Sequence, residues 1–170
     1  MNKSIATYGL LLLLLPVLQI VIFSNIDLFG YIDPYVYVLF VFVFPFKKNK
    51  SALLLSSFLL GLFIDILTND GGVHAFSLVF IANIRSFVMQ LLSGKSSNDL
   101  IEIGKNRIAM SIQFVWIFIL VLIHHFILFS LEAMSLSLMG NVLNKTLLTS
   151  ILTILFIVFL QLFVNNRSHA

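Results

Sequence analysis

Residues 61–85 read GLFIDILTNDGGVHAFSLVFIANIR. Two apolar runs meet at Thr68-Asn69-Asp70-Gly71-Gly72, with Asp65, His74 and Arg85 in or beside them. Glycine supplies the positive φ that reverses a chain, so run, turn and run predict a helical hairpin. A charge set in lipid costs about 2.5–3.5 kcal/mol on insertion scales, so such residues face protein or a polar cavity. The stretch therefore predicts helices packed within a bilayer, and it is the first place to look for function.

The remainder of the chain agrees. Of 170 residues, 60% are hydrophobic and 10% are charged, and the mean hydropathy is +1.09. A soluble domain carries about 25% charged residues. A soluble fold of this length could not bury so much apolar surface, so the composition specifies an all-α integral membrane protein. The runs are continuously apolar rather than alternating, which argues against a β-barrel. There is no Cys, which excludes disulfides, thiolate catalysis and Cys-based metal sites. The net charge of +3 is too small and too dispersed for nucleic-acid binding. Lys3 and the run behind it have the outline of a signal peptide. No small-x-small site follows, so an uncleaved first helix is expected.

Six apolar segments are expected to be helices: residues 5–23, 34–46, 51–67, 74–92, 108–130 and 146–164. The second is short, since a crossing helix needs about 20 residues. Extension by Tyr31 and Ile32, a partly re-entrant course, or shielding by neighbours would accommodate it. With six spans and a cytoplasmic N-terminus, Lys3, Lys47, Lys48, Lys50, Lys95, Lys105, Arg107 and Arg167 all lie inside. Lys145 lies outside and Arg85 within the membrane, a partition that supports both termini being cytoplasmic. The longest loops, 93–107 inside and 131–145 outside, are too short to fold alone. Residues 1–170 read as one transmembrane domain without internal repeats.

Gly61 and Asp65 are four apart, hence on one helical face, and Gly61 would admit a close neighbouring helix. Asp65 is either a solvated or turn-capping carboxylate near the outer end of its helix, or a buried acceptor for another helix. Gly72 belongs to the outer turn. His74 either bonds a loop carbonyl or serves as a ligand or proton relay. Arg85 lies about 15 Å deeper than His74 at helical rise. It is expected to face the bundle and bind a carbonyl, Gln113 or a partner protein, with Asp65 too shallow to pair with it. His124 and His125 point about 100° apart, so at most one joins a given site. With Asp65, His74 and Glu132 they put titratable groups in the outer half, bonding across helices or lining an outer cavity. The spacings hold no HExxH-like ligand pair, no Ser-His-Asp set and no Gly-rich phosphate loop. Metal, catalytic and cofactor sites are therefore not expected. Lys47-Lys48-x-Lys50 reads as a topology determinant that could also meet anionic headgroups. The aromatic residues Phe29, Tyr31, Tyr35 and Tyr37 are expected at the membrane interface, anchoring in lipid or meeting a partner.

Three stretches carry a family resemblance: SNIDLFGYIDPYVY at residues 24–37, Pro45 before the basic loop, and Gly61-Leu62-x-x-Asp65 with Gly72-x-His74-Ala75-Phe76. Together they resemble MreD, the rod shape-determining membrane protein family, in a Bacteroidetes-like form. The resemblance implies a multi-pass, non-enzymatic scaffold of the cell-wall elongation machinery in the bacterial cytoplasmic membrane, acting in cell shape. It implies association with MreC. Through MreC it implies links to a RodA-type glycosyltransferase, a penicillin-binding transpeptidase and MreB, the elongasome that carries out peptidoglycan synthesis. It also implies a fold similar to the S components of energy-coupling-factor transporters, which bind a vitamin near the outer face. That similarity defines the alternative function, a small-molecule-binding transporter subunit using Asp65, His74, His124 and Glu132. Against it, the first helix, YGLLLLLLPVLQIVIF, lacks the Ala-x-x-x-Ala face on which such subunits dock their energising partner.

Overall fold

The computed structural model describes residues 3–26, 32–46, 49–103 and 108–166. Seven helices run in order: α1 (Lys3–Val21), α2 (Leu39–Val43), α3 (Lys50–Thr68), α4 (Val73–Ser93), α5 (Ser97–Ile103), α6 (Met110–Ala133) and α7 (Met139–Asn166). Short 3-10 turns lie at Phe23–Asn25, Val36–Val38 and Leu136–Leu138. The basic residues Lys47, Lys48, Lys105, Arg107 and Arg167 lie outside the described residues.

Four described helices have the length and apolarity to cross a membrane: Lys50–Thr68, Val73–Ser93, Met110–Ala133 and Leu136–Phe159. The stretch Tyr8–Val21 of α1 is apolar too, but shorter. Side chains such as Leu55, Ile66, Phe87, Leu91 and Leu155 are exposed on the outer faces. Apolar surface inside and out is the pattern of a bundle immersed in lipid, where outward apolar residues carry no penalty.

Neighbouring long helices pack in the sequence α1–α3–α4–α6–α7. Residues 36–43 pack against α1, α3, α4 and α7. Every residue from Val36 to Phe42 is buried, with Tyr37, Val38 and Val41 fully so. This is where the structure departs most from the sequence expectation of a helix over residues 34–46. The helical part covers eight residues, about 12 Å at helical rise, against a hydrocarbon core of about 30 Å. Irregular backbone is tolerated at that depth only where protein surrounds it.

Other boundaries shift for local reasons. α7 begins at Met139 rather than at residue 146, so the outer loop expected over 131–145 shrinks to residues 134–138. Asn141, Asn144 and Lys145 looked like loop residues, yet they extend the helix, and Lys145 is held by Glu132 at 3.4 Å. The loop expected over 93–107 contains α5, whose start is a capping box. The Ser96 hydroxyl and amide donate to Asp99 Oδ2 at 2.8 and 3.0 Å. These bonds hold the Asp99 carboxyl below its usual pKa.

The hairpin between α3 and α4 depends on two glycines. A Cβ on Gly61 would lie 2.4 Å from the Ala75 Cα and 2.6 Å from its amide nitrogen, so only glycine permits this crossing. Gly72 is the N-cap of α4 with φ of 92°, a conformation that favours glycine and leaves the cap without a side-chain acceptor.

Candidate functional site

The acceptor missing from Gly72 comes from the neighbouring helix. Asp65 Oδ1 accepts from the His74 amide at 3.0 Å and Oδ2 from the Ala75 amide at 2.9 Å. An anion buried to 3% exposure thus caps the positive end of α4, where both the free N–H groups and the helix dipole favour it. The geometry combines the two roles the sequence left open for Asp65: the carboxylate is buried, and it caps the helix that follows the turn.

Arg85 does the converse at the C-terminus of α2. Its Nη1 donates to the Val41 and Phe44 carbonyls at 2.5 and 2.7 Å, and Nη2 donates to the Pro45 carbonyl at 3.2 Å. The reason lies in Pro45. A helix would satisfy the Val41 carbonyl with the amide of residue 45, and proline has none. Arg85 supplies that donor, and its charge suits the negative end of a helix. The Phe46 and Phe44 rings lie 4.8 and 5.7 Å from the guanidinium carbon, within cation–π range. Trp116 Nε1 donates to the Arg85 carbonyl at 2.9 Å, which ties α6 to the same point. Gln113, considered as a partner for Arg85, instead donates to the Ile108 carbonyl at 2.8 Å.

The leading end of the buried segment is held from two other helices. Gln19 of α1 donates to the Pro34 carbonyl at 3.0 Å and accepts from the Val36 amide at 2.8 Å. Thr153 of α7 accepts from the Tyr35 amide at 3.0 Å. The sequence reading missed both residues. Each is a polar side chain within an apolar run, which is the signal that could have found them.

Just beyond that end lies a buried polar cluster. The Tyr37 hydroxyl sits 2.8 Å from His74 Nδ1 and 3.1 Å from His124 Nε2. His74 Nε2 lies 3.2 Å from Asp70 Oδ2, which reaches the surface. His125 Nδ1 lies 3.1 Å from the Ser150 hydroxyl. Tyr35 packs edge-on against Tyr37 and His125. Thr146, Thr149, Ser150 and Thr153 of α7 are all buried, spaced to share one helical face. His124 Nδ1, His125 Nε2 and the Thr146 and Thr149 hydroxyls have no hydrogen-bond partner.

One expectation needs correction. Tyr37 was assigned to a partner-facing surface, yet it is fully buried, because the segment carrying it fills the bundle. Tyr35 is half-buried, and Phe29 and Tyr31 lie outside the described residues. His124 and His125 were expected to diverge so that only one joined a site. Both rings are buried, 5.2 Å apart, because α6 is enclosed on both sides there, but they bond different partners: His124 meets Tyr37 and His125 meets Ser150. Both are fully buried, and neither borders the open pocket that Glu132 lines. That residue borders an open pocket of about 230 Å³ with Phe129, Ala133, Leu138, Asn141, Val142 and Lys145. Phe129 stacks on His125 at 5.7 Å and separates the two regions, with Lys145 Nζ 4.3 Å from its ring centre. Among the described residues, no three His, Asp or Glu side chains converge as metal ligands.

This chain matches no protein-family model, no curated protein and no solved structure.

Proposed function

We propose that this chain is an MreD-like scaffold of the cell-wall elongation machinery. It is multi-pass in the bacterial cytoplasmic membrane and acts on cell shape without catalysing a reaction. In this reading α1 and the buried segment supply two further crossings, giving six, with both termini cytoplasmic and an S-component-like arrangement. Its direct partner is a MreC-type protein, through which it meets the glycosyltransferase, the transpeptidase and the MreB cytoskeleton.

The observation that carries the reading is the physical unity of the motif. Gly61, Asp65, Gly72 and His74 are scattered in sequence but close on one another: the glycine admits the Ala75 backbone, and the carboxylate caps the helix that Gly72 leaves uncapped. Residues that depend on each other in this way form one unit, which supports treating them as one motif. Apolar faces such as Phe76, Phe80 and Phe87 of α4 are exposed and suit packing against the single helix of a partner.

The test is purification from mild detergent together with depletion in a rod-shaped host. MreC in the eluate and rounding of depleted cells are the expected results. Rod-shaped cells with normal wall synthesis after depletion would sink the proposal. The second reading, a vitamin-binding transporter subunit, is favoured by one observation: unpartnered polar atoms within the buried cluster. A stoichiometric small molecule in the same eluate, without MreC, would select it.

A further inference from the structure

The buried cluster contains a chain of hydrogen-bond contacts that runs from the exposed Asp70 through His74 and Tyr37 to His124. A carboxylate has no proton to give, so at the 3.2 Å contact His74 Nε2 donates to Asp70. With His74 as the uncharged imidazole, Nδ1 is an acceptor, and the Tyr37 hydroxyl 2.8 Å away donates to it. The Tyr37 oxygen must in turn accept at its 3.1 Å contact, so His124 donates from Nε2. What remains is the unprotonated Nδ1 of His124, on a fully buried ring and without a partner. In this arrangement three hydrogen bonds link the exposed carboxylate to His124.

We propose that Asp70, His74, Tyr37 and His124 form a proton relay between the interior of the bundle and its surface. The donor at the inner end is a hydronium ion, which is left as water. A proton bound by His124 Nδ1 releases the Nε2 proton to the Tyr37 oxygen. Tyr37 releases its own to His74 Nδ1, and His74 releases its Nε2 proton to Asp70, whose side chain is 37% exposed and hands it to solvent. Each N–H or O–H bond broken is matched by one formed; one proton enters and one leaves. A concerted shift leaves no lasting imidazolium in the core, where an unpaired charge costs several kcal/mol.

The charged and titratable groups around the chain are engaged elsewhere. Asp65 of α3 holds the His74 and Ala75 amides. His125 of α6 bonds Ser150, and Glu132 of α6 pairs with Lys145 of α7. Tyr35, on the chain leading into the buried segment just after Asp33, packs against His74 with ring centres 5.9 Å apart. The relay does not rest on the scaffold reading, since it concerns only these four side chains.

The test is nitrogen NMR of the full chain in nanodiscs, with 15N-labelled histidine reporting each tautomer. In the wild type, His74 and His124 both carry the proton on Nε2 at neutral pH. Asp70→Ala removes the fixed acceptor, so both histidines shift to mixed tautomers while His125 stays unchanged. Tyr37→Phe cuts the chain in the middle: His74 keeps its Nε2 proton, His124 alone shifts, and the His124 proton loses its exchange with water. An Nδ1 proton on His124 in the wild type would overturn the relay. So would an Asp70→Ala protein in which His124 is unaltered.

Discussion

At its trailing end, the buried segment is held by Arg85, whose Nη1 and Nη2 groups meet three carbonyls, leaving only Nε without an acceptor. Beyond its leading end, the cluster around Tyr37 leaves His124 Nδ1, His125 Nε2 and two threonine hydroxyls unpartnered. Both regions are buried and polar, yet only one is close to saturated. A buried polar group without a partner costs about 1–3 kcal/mol. The first arrangement repairs a backbone that proline interrupts; the second keeps free valences at a stability cost. The difference separates architecture from candidate chemistry better than the residue types do, since the charged residue is the structural one.

That contrast can be broken by mutation, starting where the effect is greatest. Arg85→Ala strands the Val41, Phe44 and Pro45 carbonyls and is expected to cost about 3 kcal/mol or more, at about 1–3 kcal/mol for each buried acceptor left unpaired. Denaturation in mixed detergent micelles measures it. Arg85→Lys keeps the charge but not the fork and should recover only part. A wild-type midpoint for the alanine variant would remove Arg85 from the architecture.

Asp65→Ala comes next. It uncaps α4 and frees two buried amides, for an expected loss of about 1–3 kcal/mol in the same assay. Hydrogen exchange should rise first at the His74 and Ala75 amides. Protection unchanged there would mean that another acceptor caps the helix.

Thr149→Val probes the opposite side of the contrast. Removing a hydroxyl that has no partner is expected to be neutral or stabilising, within about 1 kcal/mol. A loss larger than that would show the Thr149 hydroxyl to be bonded, and the cluster to be more saturated than its geometry indicates.

The smallest expected effect concerns α5, distant from both regions. Its cap has an Asp99 carboxyl with a lowered pKa. A depressed folded pKa contributes stability above the unfolded value, and that stability is lost as pH falls through the folded one. Amide exchange over residues 97–103 should therefore accelerate on acidification below the ordinary carboxylate range, and Asp99→Asn should abolish this pH dependence.

Much of the helical framework could be read from apolar runs alone, because α3, α4 and α6 obey a simple length rule. The hairpin was legible from Gly61, Asp65 and the glycine turn, since these residues act on their near neighbours in sequence. The buried segment was not. Its apolar residues promise a span, and nothing local says that Gln19, Arg85 and Thr153 will hold its backbone. Tyr37 was misassigned for the same reason: an aromatic residue near an interface and one at the centre of a bundle have the same sequence. The serine and threonine face of α7 carried a periodic signal at residues 146, 149, 150 and 153. Asn141, Asn144 and Lys145 just before it resembled a loop and hid where the helix starts.

The way the buried segment is held also imposes an order in time. Its trailing carbonyls wait for Arg85, 40–44 positions later, and the Tyr35 amide waits for Thr153, 118 positions later. At a synthesis rate of about 5–20 residues per second, that second interval is about 6–24 s. During it, the segment has already left the ribosome without its final acceptor. It cannot complete its bonding as an independent stem handed to the bilayer in turn. It must be retained near water, the insertion machinery or earlier helices until α7 arrives, so the second apolar stretch to be made is among the last to be finished.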